Sequence, residues 1–442
     1  MKNVPLETIV SLAKRRGFVF PGSEIYGGLA GTFDYGPHGV ALKNNLKQLW
    51  WREFVELRDD MYGVDAAILM NPRAWVASGH VGGFSDPLVD CSACKRRFRA
   101  DHLESLEECP ECKKKGTLGE PRQFNMMFKT NVGATEDESS VTYLRPETAG
   151  GMFVNFKNII DAHHPKMPFG MGQIGKVFRN EIAPREFIFR LRELEQMEVE
   201  YFVHPNNWEE AFSAWEQVMT NYAKVIGLSM EHFYPTEIPA EDLAHYSKRT
   251  IDFEFEYPFG RRELWGLAYR TDYDLSAHAK ASGVPLEYLD EESKEKFVPH
   301  VIEPSLGVDR TFLAVLTSAY DEDELNGETR SVLRFAPKVA PVKALVSPLL
   351  KNKPELVEKA KEVRALLKKV HPAIAWDDNG NIGKRYRRQD EIGTPWCITI
   401  DFDTLGETSE LKDTVTVRDR DTGEQTRMSI EEVGEMLRTA LA

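Results

Sequence analysis

Side-chain polarity along the chain switches between two periods. Over residues 5–16, Leu6, Ile9, Val10 and Ala13 recur at the spacing of an amphipathic helix. Residues 40–57 repeat the pattern with Leu42, Leu46, Leu49, Trp50 and Phe54. Adjacent Trp50 and Trp51 widen that apolar face, which suits either a core or a contact between subunits. The run Met61 to Met70 reads as extended, and Pro72 ends it. Between Gly170 and Val203 the period drops to two. Gln173, Gly175, Val177 and Arg179 fall on one face of a first strand. Arg192, Leu194, Gln196 and Glu198 fall on one face of a second, with Met197, Val199 and Tyr201 behind. One face of a hairpin thus gathers two arginines, two amides and a carboxylate. Planar guanidinium forks grip phosphate oxygens bidentately, so the face suits a polyphosphate; the alternative is a face turned to solvent.

Helical spacing returns over 208–226, and short strands follow over 249–256 and 263–269. The run 300–317 predicts a strand, a turn at Gly307 and an apolar helix opening on Asp309 and Arg310. A helix N-terminus carrying an arginine is either an anion site or a surface turn. Ala336 to Pro341 is bracketed by prolines and marks a domain boundary. Beyond it, strands over 342–346, 396–401 and 414–417 alternate with helices over 355–370 and 430–441, the pattern of a compact α/β domain. Residues 383–388 form a basic loop around Tyr386, fit to meet phosphates and a base, or else only solvent.

Composition narrows the function. A chain of 442 residues is too long for one core, and its formal charge of -14 excludes nucleic-acid binding through bulk charge; any such contact is a local patch. No stretch has the length of a membrane span, and the N-terminal residues lack the apolar core of a signal peptide. Four of five cysteines stand as Cys91-x2-Cys94 and Cys109-x2-Cys112, the spacing of a closed tetrahedral zinc site, and they predict a reducing compartment. The charged residues between them build no core, so the metal would supply the folding energy. Gly22 to Gly39 is glycine-rich and allows tight turns. In the stretch 143–156, Arg145 and Glu147 would either pair with each other or clamp a zwitterionic ligand.

Taken together, six fragments in order carry a resemblance: DYGPHG, LRPET, FRNE, EQMEVE, EPSLGVDR and GKRYRRQDEIGTP. They resemble glycyl-tRNA synthetases of the homodimeric class II type. Trp50 to Pro72 is similar to that class's motif 1, Phe178 to Glu181 with its return strand to motif 2, and Gly307 to Arg310 to motif 3. The resemblance implies an α+β protein. Residues 1–335 would form a catalytic domain on a six- or seven-stranded antiparallel sheet, with a zinc-ribbon-like insertion over 85–115 and a second insertion over 204–300. A linker over 336–341 would lead to an anticodon-binding domain with a mixed sheet over 342–442.

The same resemblance implies a cytoplasmic homodimeric ligase whose ligands are ATP with Mg²⁺, glycine and tRNA(Gly), with a structural Zn²⁺ on the four cysteines. Carried over by position, Arg179 would hold the α-phosphate and the glycine carboxylate, Arg310 the γ-phosphate, and Glu181 the adenine amino group. Asn180, Phe189, Arg190, Leu191 and Arg192 would line the ATP site. Leu194, Glu263, Leu264, Gly307, Val308 and Asp309 would complete it, with Glu263 also facing magnesium. Glycine would lie among Arg99, Glu147, Leu194, Glu195, Gln196, Met197 and Glu198. Glu303, Pro304, Ser305, Leu306 and Gly307 would close that site. Two positions depart from the family pattern: Leu194, where a phenylalanine usually stacks on adenine, and Gly150, where glutamine is usual. A non-catalytic relative on the same scaffold would have lost the phosphate-gripping arginines; here Arg179 and Arg310 are present.

Overall fold

The computed structural model describes residues 4–134, 137–325 and 327–442. Its central element among these residues is a seven-stranded sheet. The strands are β1 (Met61–Gly63), β2 (Phe169–Phe178), β3 (Glu193–Val203), β4 (Phe233–Glu237), β5 (Arg249–Tyr257), β6 (Gly260–Thr271) and β7 (His300–Gly307), in the spatial order β4-β5-β6-β7-β3-β2-β1. All pairings are antiparallel except that of the short β1 with β2.

The two faces of this sheet differ because side chains alternate. Met197, Val199 and Tyr201 of β3, Phe253 and Phe255 of β5, Trp265 and Leu267 of β6 and Ile302 and Leu306 of β7 all enter one core. Three helices cover that face: Pro37–Trp51, Trp208–Val225 and Val308–Ala319. Trp50 is fully buried there, and Phe54 stacks on it with ring centroids 5.0 Å apart, so this tryptophan belongs to the core. Trp51 is only half-buried and packs over Gly63. The opposite face is covered at one end by the helix Ala149–His163, whose Phe153 and Phe156 meet Phe169, Met171, Phe202 and Val301. The rest of that face lines a cavity.

Several expectations are corrected. The stretch 204–300 is no insertion: it supplies β4, β5 and β6, three of the seven strands, and a core helix. Two of these strands are legible over 249–256 and 263–269, but local pattern does not say which sheet they join. Met61 to Met70 is a strand only as far as Gly63, and Pro72 opens the short helix Pro72–Ala77 rather than closing a strand. The cysteine-bearing segment extends past residue 115, because Arg122–Asn125 pairs with Ser85–Asp90 in a three-stranded sheet with Arg97–Arg99.

The C-terminal residues form a five-stranded sheet with both parallel and antiparallel pairs. Helices Pro354–Val370 and Ile430–Leu441 pack on it. The basic stretch 383–388 is not a loop but lies in the helix Ile382–Ile392. Arg385 is buried and donates to Ser347 Oγ and to the carbonyls of Pro348, Asp378 and Gly380. Arg388 pairs with Asp377 at 2.7 Å and Arg387 with Glu328 at 3.0 Å. Arg385 and Arg388 are therefore spent on the domain's own structure, and Arg387 reaches across the linker to Glu328 in the preceding segment.

Candidate active site

Strand register carries a row of pocket-facing residues across the sheet: Asp252 opposite Gly266, Gly266 opposite Ser305, Ser305 opposite Glu198, and Glu198 opposite Gln173. Above this row lies a cavity of about 490 Å³. Its walls include Glu147, Arg179, Glu181, Arg190, Leu194, Gln196, Glu198, Glu263, Glu303, Ser305 and Arg310. Phe189, Leu191, Leu264, Gly307 and Asp309 also border it.

At one end arginines stand among carboxyl groups. Arg179 spends its Nε on the Pro146 carbonyl at 3.0 Å, and the rest of its guanidinium borders the cavity. Arg310 lies over the Phe189 ring at 4.4 Å and meets the Glu263 carboxylate at 3.1 Å. Glu181 Oε2 is buried without a hydrogen-bond partner, its nearest cation being Arg190 at 3.9 Å. A buried acceptor left open is a site for a donor such as an exocyclic amine. Asp252 faces the same region; burial, then Glu263 and Glu254, push its carboxyl up to about 7.

At the other end carboxyl groups cluster. Glu198 accepts from Ser305 Oγ at 2.6 Å and from the Thr148 backbone N–H at 3.2 Å. Glu303 accepts from Arg270 at 2.8 Å, and Arg270 also grips Asp274 through two bonds of 2.8 and 2.9 Å. Burial and the neighbouring Glu198 and Glu147 outweigh Arg270 and push Glu303 up to about 8. Glu200 is fully buried, both its oxygens lack hydrogen-bond partners, and burial together with Glu303 raises it well above the usual carboxylate range. Glu147 behaves oppositely. Burial opposes its charge, but His80, Arg270 and Arg179 pull it down to about 2. So Arg145 and Glu147 do not pair: Arg145 donates to the carbonyls of Lys176 and Ala66, and Glu147 faces His80.

Alternation separates the remaining expected residues. Met197, Leu306 and Val308 are core, and Pro304, opposite the core residue Leu267, alternates with Glu303 and Ser305 toward the face away from the cavity. Glu195 also turns from the cavity, to Lys43 at 3.1 Å and Lys47 at 3.0 Å. Asp309 is buried; it accepts from Lys43 at 3.0 Å, from Tyr35 and from the Glu195 backbone N–H at 2.8 Å. This network ties the DYGPHG segment to the start of the helix that carries Arg310. Arg192 donates to the carbonyls of Glu181 and Ala30, so it staples the loop 181–192 to the loop 23–32 rather than lining the cavity. Asn180 caps Met126 through its backbone N–H. Arg99 pairs with Asp86 at 2.7 Å and Asp101 at 2.6 Å and stands outside the cavity wall.

Sequence reasoning missed His80, Tyr246, Asp252 and Arg270. Arg270 and Asp252 share the pocket face of recognisable strands, so the period-two pattern of 249–256 and 263–269 was a usable signal. Nothing in the spacing connects His80 or Tyr246 to the others.

The four cysteine sulfurs lie within 4.8 Å of one another, with Cys91 to Cys112 and Cys94 to Cys109 both at 3.7 Å. Four thiolates about 2.3 Å from a tetrahedral ion stand about 3.8 Å apart, so the set can hold a metal. The Cys94 backbone N–H and the Thr117 hydroxyl hold the Cys91 thiol down to about 6.

With the geometry described, known proteins can be compared. A family model described as "tRNA synthetase class II core domain (G, H, P, S and T)" matches residues 124–319, and one described as "Anticodon binding domain" matches residues 343–440. A glycine–tRNA ligase of Caldanaerobacter subterraneus subsp. tengcongensis is 51% identical, covering 99% of this chain and 99% of that protein. One of Lachnospira eligens is 53% identical with 96% of each covered, and one of Clostridium acetobutylicum 52% identical with 98% of each covered. Half-identity along nearly the whole of both chains, with the class II sheet and the cavity upon it, makes this chain a member of the glycine–tRNA ligase family of class II aminoacyl-tRNA synthetases.

Proposed function

We propose that this chain activates glycine with ATP, giving glycyl-adenylate and pyrophosphate, and then transfers glycine to the 3′ end of tRNA(Gly). The observation that carries the reading is the polarity of the cavity: Arg179 and Arg310 at one end, and Glu147, Glu198 and Glu303 at the other. A triphosphate needs the first and a free ammonium needs the second.

The glycine carboxylate is already a nucleophile, so alignment and charge neutralisation suffice for its attack on the α-phosphorus. Arg179, near enough to the acidic end to help lower Glu147, holds the attacking carboxylate against the α-phosphate. Arg310 takes the γ-phosphate, and the open Glu181 oxygen accepts from the adenine amino group. Glu263, close to Asp252, would hold Mg²⁺, and two carboxylates fit a hard cation that takes oxygen ligands. The metal would spread the charge of the departing pyrophosphate. Glu147, Glu198 and Glu303 fix the ammonium, with Ser305 orienting Glu198.

In the second step the terminal ribose hydroxyl of tRNA attacks the adenylate carbonyl and AMP leaves. The C-terminal domain, residues 343–440, would bind the anticodon region. Zn²⁺ on Cys91, Cys94, Cys109 and Cys112 would hold the 85–125 segment together. A second copy would cover the groove lined by Lys47, Trp51, Glu56 and Ile174, giving a homodimer. Among the described residues no helix is long and apolar enough to cross a membrane. The paired thiols suit a reducing cytoplasm.

The test is ATP–pyrophosphate exchange across a panel of amino acids. Glycine alone should support it, and Arg179→Ala should lower it by roughly 10²-fold or more without unfolding the protein. Exchange that ignores glycine, or that survives in Arg179→Ala, would overturn the reading.

A further inference from the structure

The pocket-facing residues of β6 run in one line from the phosphate end to the ammonium end. Glu263 meets Arg310, Gly266 and Ala268 line the floor, and Arg270 stands last, fixed between Asp274 and Glu303. What lies beyond Arg270 therefore decides how long a substrate the cavity accepts. That place is taken by Tyr246, whose ring sits on the Arg270 guanidinium with its centroid 3.9 Å from Cζ. Tyr246 reaches there from the connection between β4 and β5, which folds back over the cavity and lines it with Asp242, Leu243 and Ala244. The connection is fastened on both sides of the ring. The Lys248 backbone N–H and the Ser247 hydroxyl donate to the Tyr269 carbonyl at 2.9 and 3.2 Å, and His245 meets the Tyr273 hydroxyl at 3.1 Å. The ring is thus held as a fixed wall rather than a free flap. Burial, then Glu303, raise the Tyr246 hydroxyl pKa, with Glu147 adding to it, as expected of a phenol directed at the acidic end.

We propose that Tyr246 is a specificity-determining residue: laid across the immobile Arg270, its ring closes the acidic end of the cavity and fills the space into which a side chain on the substrate α-carbon would project. This inference rests on the glycine-activation reading and assigns the steric part of it. The carboxylates attract the ammonium of every amino acid alike, so they supply affinity without discrimination. Rejection of alanine requires a wall, and a wall fixed by cation–π contact and by hydrogen bonds to Tyr269 and Tyr273 yields little. One extra methyl group against such a wall is worth roughly 10- to 200-fold in kcat/KM.

The experiment measures pyrophosphate exchange with glycine and with alanine for the full-length protein, Tyr246→Phe and Tyr246→Ala. Tyr246→Ala should raise the alanine-to-glycine ratio of kcat/KM by about 10-fold or more, while Tyr246→Phe, which keeps the ring, should hold the ratio near the parent value whatever happens to kcat. A residue that only supported the fold would lower both substrates together and leave the ratio still. An unmoved ratio in Tyr246→Ala overturns the proposal. If that variant loses exchange with both amino acids, Tyr246→Leu and calorimetric binding of alanine against glycine decide instead, and no relative gain for alanine in either overturns it equally. Should the parent protein show no glycine-dependent exchange, the ligase reading fails, and the same calorimetric competition still judges Tyr246.

Discussion

His80 Nε2 lies 3.3 Å from Glu147 Oε2, and Ser78 Oγ lies 2.8 Å from the other ring nitrogen. The imidazole is thereby oriented from behind, and Trp75 packs edge-on against it at 5.5 Å. Glu147 owes part of its depressed pKa to this contact. His80→Ala should raise the KM for glycine about 10-fold or more, the scale of one charge-assisted hydrogen bond, with a smaller change in kcat. The pH dependence has a definite sign. Glu147 is lowered to about 2 when folded, so its contribution to stability is complete above the ordinary carboxylate range and fades as pH falls toward 2. In His80→Ala that acid limb should shift to higher pH, as acid titration followed by circular dichroism would report.

Glycine binding should release protons. Glu303 is raised to about 8, and Glu200 and Glu198 are raised as well, so near neutral pH this cluster carries protons that the incoming ammonium displaces. Calorimetry in buffers of different ionisation enthalpy should find close to one proton released at pH 7. Affinity should rise from pH 6 to about 8 and then level off, until the ammonium of glycine itself titrates. A flat profile would show that Glu303 is already ionised in the free protein.

How far the sequence reveals this site follows from the physics of each part. The hairpin of β2 and β3 is legible because period two assigns faces without knowledge of the neighbours, and Gln173, Gln196 and Glu198 do share the cavity face. The same rule, applied strictly, removes Glu195, Met197, Pro304 and Leu306 from the glycine site, which resemblance by position had included. Arg192 keeps the right face but is consumed by the Glu181 carbonyl within its own loop and by the Ala30 carbonyl far back in the chain, partners that period two does not reveal. The basic run 383–388 looks like a ligand patch only until its partners appear: Asp377, Glu328 and four backbone or hydroxyl oxygens. His80 and Tyr246 reach the cavity through tertiary packing alone.

Removal of metal should loosen one segment and spare the sheet. The cysteine cluster sits on a three-stranded sheet separate from the seven-stranded one. Reduced protein should carry one equivalent of zinc by elemental analysis. Chelation should raise amide exchange over residues 85–125 while leaving β2 and β3 protected. Cys91→Ser should do the same without chelator. Loss of protection across the central sheet would mean that the metal holds more than its own ribbon.

Gly150 is explained by Trp75. A β-carbon at Gly150 would stand 2.9 Å from Trp75 Cζ3 and 3.1 Å from Cη2, and Trp75 is fully buried. A β-carbon at the adjoining Gly151 would stand 2.5 Å from Ala66 Cβ, so the start of the helix Ala149–His163 packs on two neighbours that leave no room for side chains. Gly150→Gln, the residue usual in the family at this position, should therefore destabilise this chain by about 1–3 kcal/mol in denaturant unfolding. The same indole braces His80, so displacing it should also loosen the hold on Glu147 and raise the KM for glycine. Gly150→Gln combined with a smaller residue at Trp75 should recover more stability than the two single changes predict by addition, because the two side chains compete for one space. Additive losses would place the constraint on Gly150 elsewhere than the Trp75 ring.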